Sequence, residues 1–211
     1  MRIAIIGASG RTGLHVLERG SERGYEVTSV VRNPDKLSGL TATETVVAKA
    51  DARDLAGQTQ ALRGADAVVF ALGPEGLKNA DHEIQREGIA TTLAAMKAAK
   101  VRRLVAVSAS GHSTDGDGIF MRYAAKPIVQ SILKDSFTDM KAMEQHIRES
   151  DTEWTIMRPP NLTDKPGHGK YKSRITKNPS GFSLTRADLA DAILDALENP
   201  ETVRQIVAVA N

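Results

Sequence analysis

At 211 residues, with 41% apolar and 26% charged side chains, the chain is long enough for one sizeable core and has the composition of a globular domain, not of a disordered or collagenous protein. Its formal charge is +2, with Lys and Arg spread along the sequence, so no electrostatic footprint for nucleic acid or a membrane surface is expected. There is no Cys, which removes disulfides, thiolate metal sites and a cysteine nucleophile, and His15, His82, His112, His146 and His168 lack metal-ligand spacing, so no metal site is expected.

Apolar runs of strand length alternate with helical patterns. Strands are expected at about 2–6, 26–31, 44–48, 67–71, 103–108 and 153–158. Helices are expected at about 12–23 and 55–62, and at 82–100, where Ile84, Ile89, Leu93 and Met96 recur at helical spacing behind Asp81 as N-cap. Two more are expected within 118–150, with a break near 134–137. This repetition predicts a doubly wound, Rossmann-type α/β fold, a parallel sheet flanked by helices in a single domain. After Arg158 the glycines and prolines crowd together, which predicts a small C-terminal substrate-side region with one short strand near 171–175. Thr185-Arg186-Ala187-Asp188 reads as a capping box with Asp in place of Glu, opening a helix to Glu198, and a last strand is expected at 205–209. No apolar run approaches about 18 residues and Met1 stands almost on the first strand, so neither a membrane span nor a leader peptide is expected, and the expected location is cytoplasmic. With no heptad or apolar surface stripe, a monomer or weak homo-oligomer is expected.

The first strand runs into Gly7-Ala8-Ser9-Gly10-Arg11-Thr12-Gly13, three glycines at G-x-x-G-x-x-G spacing before a helix. Side chains at Gly7 or Gly10 would hold the backbone off a diphosphate, and one at Gly13 would push the helix from its strand. The free amides and positive dipole end of that helix then face the anion, with Ser9, Arg11 and Thr12 beside it. Arg32, at the end of the second strand and 19 residues beyond Gly13, stands where an acidic residue would select NAD; with Arg11 it suits a 2′-phosphate, so NADPH is expected over NADH. Asp51 and Ala52 follow the third strand, where a carboxylate and a backbone amide can pair with adenine; Asp54 reads as a helix cap. Ala71-Leu72-Gly73 ends the fourth strand and permits close passage of the middle of the cofactor.

With these motifs and the segment Arg158-Pro159-Pro160-Asn161-Leu162-Thr163-Asp164, the chain resembles the atypical short-chain dehydrogenase/reductases, and within them the small NAD(P)H-dependent flavin reductase and biliverdin-IXβ reductase group, NmrA-like in its nucleotide binding. The resemblance implies an extended NADP over the carboxyl ends of the strands. It places nicotinamide near Ser108-Ala109-Ser110-Gly111 and Pro159-Pro160-Asn161, with Ser108, Ser110 and Asn161 as the polar groups at the reaction centre. The serine of the biliverdin-reducing members falls nearest Ala109, and their histidine after the proline pair is Asn161 here. The Tyr-x-x-x-Lys pair of typical short-chain dehydrogenases is missing; Tyr123 and Lys126 are three apart. Without a dedicated acid, hydride transfer to a flavin or quinone is favoured over ketone reduction. Two alternatives stand beside it. One is an NADP(H)-binding redox sensor without chemistry. The other is a sugar-nucleotide epimerase or dehydratase using Tyr123 and Lys126. The irregular stretches 111–119 and 163–177 are expected to cover the acceptor.

Overall fold

Strand-length apolar runs that turn into amphipathic helices must bury one face of each helix, and a parallel sheet covered on both sides does so. A computed structural model describes residues 1–38, 45–73, 81–110 and 134–211. In chain order the elements are β1 (Arg2–Ile6), α1 (Arg11–Glu22), β2 (Glu26–Val31), β3 (Thr45–Lys49), α2 (Leu55–Leu62), β4 (Ala67–Phe70), α3 (Ile84–Ala99) and β5 (Arg103–Val107). They continue with α4 (Lys134–Glu149), β6 (Glu153–Arg158), β7 (Asn161–Thr163), β8 (Lys172–Ile175), β9 (Ser183–Thr185), α5 (Arg186–Glu198) and β10 (Gln205–Ala210).

Eight strands form one sheet in the order β3-β2-β1-β4-β5-β6-β10-β8. Neighbours are parallel except the antiparallel edge pair of β10 and β8. Strand order reverses between β1 and β4, and in open α/β sheets the crevice for a ligand lies outside the carboxyl ends at such a reversal. The expected doubly wound fold is therefore present. The short β7 and β9 pair in a separate two-stranded sheet that the sequence reading lacks. From Lys134 to Glu149 the chain is one helix, with Phe137 buried in it; the earlier helix expected in 118–150 and the junction before 134 lie outside the described residues.

The core lies on both faces of the sheet. On one, α1 and α5 bury Val16, Leu17, Leu189, Ile193 and Leu194 against Ile3, Ile5, Val69 and Val207. On the other, α2, α3 and α4 bury Leu62, Ile89, Met96, Met143 and Ile147 against Ile6, Val68, Phe70, Leu104 and Ile156. β4 is buried along its whole length, as a central parallel strand must be. At the opposite end from the crevice, the buried Arg103 side chain donates to the Glu153 carbonyl (2.6 Å), to Thr202 Oγ1 (3.0 Å) and to the Ala196 and Leu197 carbonyls, capping the C-terminus of α5. A cation suits that dipole end, although burial itself pulls the guanidinium pKa down.

Two glycines set how closely α1 approaches the sheet. A Cβ on Gly13 would stand 2.2 Å from the Gly7 carbonyl oxygen and 2.8 Å from Ala8 Cα. One on Gly7 would stand 2.9 Å from the Ala71 carbonyl oxygen, and Gly7 has φ +84°, a conformation that disfavours side chains. Among the described residues, a Cβ on Gly73 meets nothing within 4 Å. Gly13→Ala is therefore expected to cost roughly 1–3 kcal/mol or more of stability by overpacking against backbone. Gly73→Ala should leave the urea midpoint nearly unchanged, and equal midpoints for the two variants would contradict this account.

Candidate functional site

The first turn of α1 is left uncapped by the chain, unlike the starts of α2, α3 and α5. Gly10 occupies the N-cap position in extended geometry, offers no side chain, and no acidic residue stands in the first turn. Those other starts are served. Asp54 accepts from the Gly57 amide (2.9 Å) on α2, and Thr185 from the Asp188 amide (3.0 Å) on α5. On α3 the carboxylate of Asp139, carried by α4, takes the Gln85 and Arg86 amides at 2.9 and 3.0 Å. Burial pushes the Asp139 carboxyl pKa up against the pull of those amides. Asp81, expected as the cap, bonds instead to the Glu83 amide (3.1 Å) and to Arg53 (2.7 Å). Open N-terminal amides at a glycine turn form an anion site by geometry alone.

That turn opens into a cleft of about 280 Å³ across the carboxyl ends of β1 to β4. Gly7, Ser9 and Gly10 line it from the first loop, Arg32 from the end of β2, Asp51 and Ala52 from beyond β3, and Ala71, Leu72 and Gly73 from beyond β4. Nine sequence-predicted residues thus share one cavity. The sequence reading missed Asn33, Lys36, Asp81 and Ile84, which line it too. Lys36 was legible as a cation four residues beyond Arg32, on a 3₁₀ turn whose N-cap is Asn33. The Asp51 carboxylate also accepts from the Arg53 amide (3.0 Å), an Asx turn that fixes its direction.

Two buried glutamines hold the cleft's backbone from below. Gln58 on α2 donates to the Ala52 carbonyl (2.6 Å), and its Oε1 accepts from Thr92 (2.8 Å). Gln85 on α3 donates to the Leu72 carbonyl at 3.1 Å.

The far side of the crevice is built from β5, β6 and the segments that follow. The Ser108 and Ser110 amides donate to the Met157 and Pro159 carbonyls, both at 2.8 Å, which joins the two post-strand segments. Ser108, Ser110 and Pro159 are buried, Pro160 is half-buried and Asn161 is exposed on β7. Below them Arg158 and Glu144, both buried, form a two-pronged ion pair at 2.9 and 2.5 Å that ties the end of β6 to α4. Tyr123 and Lys126 lie outside the described residues, as does 111–119.

Three expected cofactor-loop residues, Arg11, Thr12 and Gly13, do not line the cleft, and neither do Pro159 and Pro160. Arg11 does not join Arg32; its guanidinium pairs with Asp164, which also holds Arg186 at 2.7 Å. Burial, and then the nearby Arg11 charge, lower the Arg186 pKa. The cation that shares the cleft with Arg32 is Lys36, because the turn at 34–37 folds back beside the end of β2 while Arg11 sits at the start of α1.

The segment 163–177 is irregular outside β8, as expected, but its backbone at 168–169 is anchored to a helix. Asp188, 1% exposed on α5, accepts from the His168 and Gly169 amides (both 2.9 Å), from Asn211 Nδ2 (3.0 Å) and from Thr185 Oγ1 (2.8 Å). Burial acts to raise its carboxyl pKa, but these hydrogen bonds outweigh it and hold the group below the usual carboxylate range.

Residues 7–200 match the family described as NAD(P)H-binding. The chain belongs to that family. Within reach by sequence are two proteins of Bacillus subtilis. YwnB, named an uncharacterized protein, is 28% identical over 208 residues, 95% of this chain and 94% of the relative. YhfK, named an uncharacterized sugar epimerase, is 25% identical over 212 residues, 96% and 90% of the two chains. A short-chain dehydrogenase/reductase (wide type) from Veillonella parvula, solved in complex with NADP, matches with a TM-score of 0.79 at 17% identity, covering 100% of this chain and 94% of that one, and so shares the fold. Among the described residues no helix is long and apolar enough to cross a membrane, and no three His, Asp or Glu side chains gather as metal ligands.

Because the Asp188 carboxyl has a lowered folded-state pKa, its contribution is present above the unfolded carboxylate pKa of about 3.9 and is lost as pH falls through the folded value. Asp188→Asn should lower stability at pH 7 by about 1–3 kcal/mol and flatten the acid limb of the stability curve below about pH 4. Urea melts across pH 3 to 7 would measure both; an unchanged acid limb would contradict the assignment.

Proposed function

We propose that the protein is an NADPH-dependent reductase that delivers hydride to a free flavin or a similar planar acceptor such as a quinone. The observation that carries this reading is the uncapped start of α1, open to a cleft whose other end holds Arg32 and Lys36. The residues fit the cofactor group by group. The Gly10 turn and the first amides of α1 take the diphosphate, and Arg32 with Lys36 takes the 2′-phosphate, an interaction of charged donors with an anion. Asp51 and the Ala52 backbone take the adenine edge, and Ala71, Leu72 and Gly73 pass the middle of the molecule. Pro159 and Pro160 hold the ring end beside Ser108, Ser110 and Asn161.

Bound NADPH supplies a hydride at its nicotinamide ring. Ser108, Ser110 and Asn161 hydrogen-bond but do not titrate near neutral pH, so they orient the rings and leave proton delivery to water. That suits a flavin, which takes hydride at N5 and its balancing proton from solvent, and holding two planar rings in contact is then the main work of the site. The acceptor side lies against the segment pinned by Asp188, opposite the nucleotide cleft. The expected setting is the cytoplasm, as a monomer or weak homo-oligomer.

NADPH oxidation followed with FMN, FAD, riboflavin and quinones tests the reaction. Turnover with at least one supports the reductase; tight NADP binding with no turnover by any would move the reading to a redox sensor. Epimerisation of a sugar nucleotide, lost in Tyr123→Phe, would move it to the activity in YhfK's name. Arg32→Ala tests the cofactor: NADPH affinity should fall roughly 10- to 100-fold, the scale of a charged hydrogen bond, with NADH affinity little changed. Equal losses for both cofactors by calorimetry would remove the phosphate role.

A further inference from the structure

Gln58 and Gln85 perform the same task under adjacent walls of the cleft, yet only one is complete. Both are buried, at 0% and 2% exposure. Gln58 donates to the backbone beyond β3, and its acceptor oxygen is satisfied by Thr92. Gln85 donates to the backbone beyond β4, its main-chain amide is taken by Asp139, and its Oε1 has no partner. Native folds rarely leave a buried side-chain acceptor unmade, because it has lost water and gained nothing in return.

Among the described residues no donor reaches this oxygen. Gly88, one turn further along the same helix, faces Leu72 Cδ2, Ala52 Cβ and Phe70 Cζ, so the helix packs there on apolar atoms. Gln85 itself does not line the cavity, but Leu72, the residue it holds, and Ile84, its chain neighbour, both do. A carbonyl oxygen only accepts, so unprotonated phosphate oxygens are excluded and a hydroxyl, an N–H or a water must donate; in the middle portion of an extended dinucleotide the donors are ribose hydroxyls.

We propose that Gln85 is a positioning residue whose Oε1 accepts a hydrogen bond from a ribose hydroxyl on the nicotinamide side of the bound dinucleotide, directly or through one water. The same side chain, through Nε2, holds the Leu72 carbonyl, so ligand and wall are fixed by one amide. The inference rests on the dinucleotide reading above and assigns the group that reads its middle portion.

The experiment measures the affinity of wild type, Gln85→Leu and Gln85→Met for NADPH and for 2′,5′-ADP, which carries the adenosine half but no nicotinamide ribose. The ligand-free melting temperature is recorded for each variant. Both variants should bind NADPH about tenfold more weakly, one hydrogen bond's worth, and bind 2′,5′-ADP as the parent does. The Met variant keeps the length of the side chain, so it serves if Leu disturbs the packing. Equal weakening of both ligands would mean a purely structural role and would overturn the proposal, as would unchanged NADPH affinity in a folded variant. Wild type that binds neither ligand would instead sink the dinucleotide reading, and the Gln85 assignment with it.

Discussion

The contact between Gly13 and the Gly7 carbonyl is the constraint on which the rest of the site depends. With only hydrogen at that α-carbon, α1 seats directly on the end of β1, and its first amides face the crevice instead of a side chain. The starts of α2, α3 and α5 are each occupied by a carboxylate or a hydroxyl from this chain. The fold thus keeps one strongly donating end in reserve, at the point where the strand order reverses.

Around that point the walls are held from beneath. Asp51 and Ala52 hang on Gln58, Leu72 on Gln85, the end of β6 on the Glu144 and Arg158 pair, and the 168–169 backbone on Asp188. Each is a buried polar group from a helix reaching a backbone or side chain just past a strand. Such groups are costly when left half-paired and give definite geometry when complete. A ligand entering this cleft meets walls already set, which limits the ordering cost of binding.

Much of this was legible because the signals are local. The pattern of the apolar residues gives the seven parallel strands, β1 to β6 and β10, and four of the five described helices in place, and the glycine spacing marks the turn after β1. Thr185 and Asp188 read as a cap because a capping box is written within four residues. What was not legible is set by contacts far apart in the chain. Asp139 caps α3 from more than fifty residues away. Arg11 turns to Asp164 instead of Arg32, a choice made by where the segment after β7 returns to the glycine loop. The pair β7 and β9 is too short and too polar to stand out, and the anchoring of the 168–169 backbone comes from Asp188, whose multiple bonds no pattern announces. Gln58 and Gln85 resemble ordinary helix residues until burial shows what they hold.

The node at Asp188 also links parts of the chain that look independent. Asn211 donates to Lys170 and Asp188 and accepts from the Thr185 amide, while its own amide bonds to Ser183. An exposed stretch, a buried helix start and the strand end beside β8 are thereby closed into a single knot. The backbone at 168–169 therefore does not breathe as a surface ribbon would; it opens when the start of α5 opens, so entry on that flank is governed by a cooperative unit of the core.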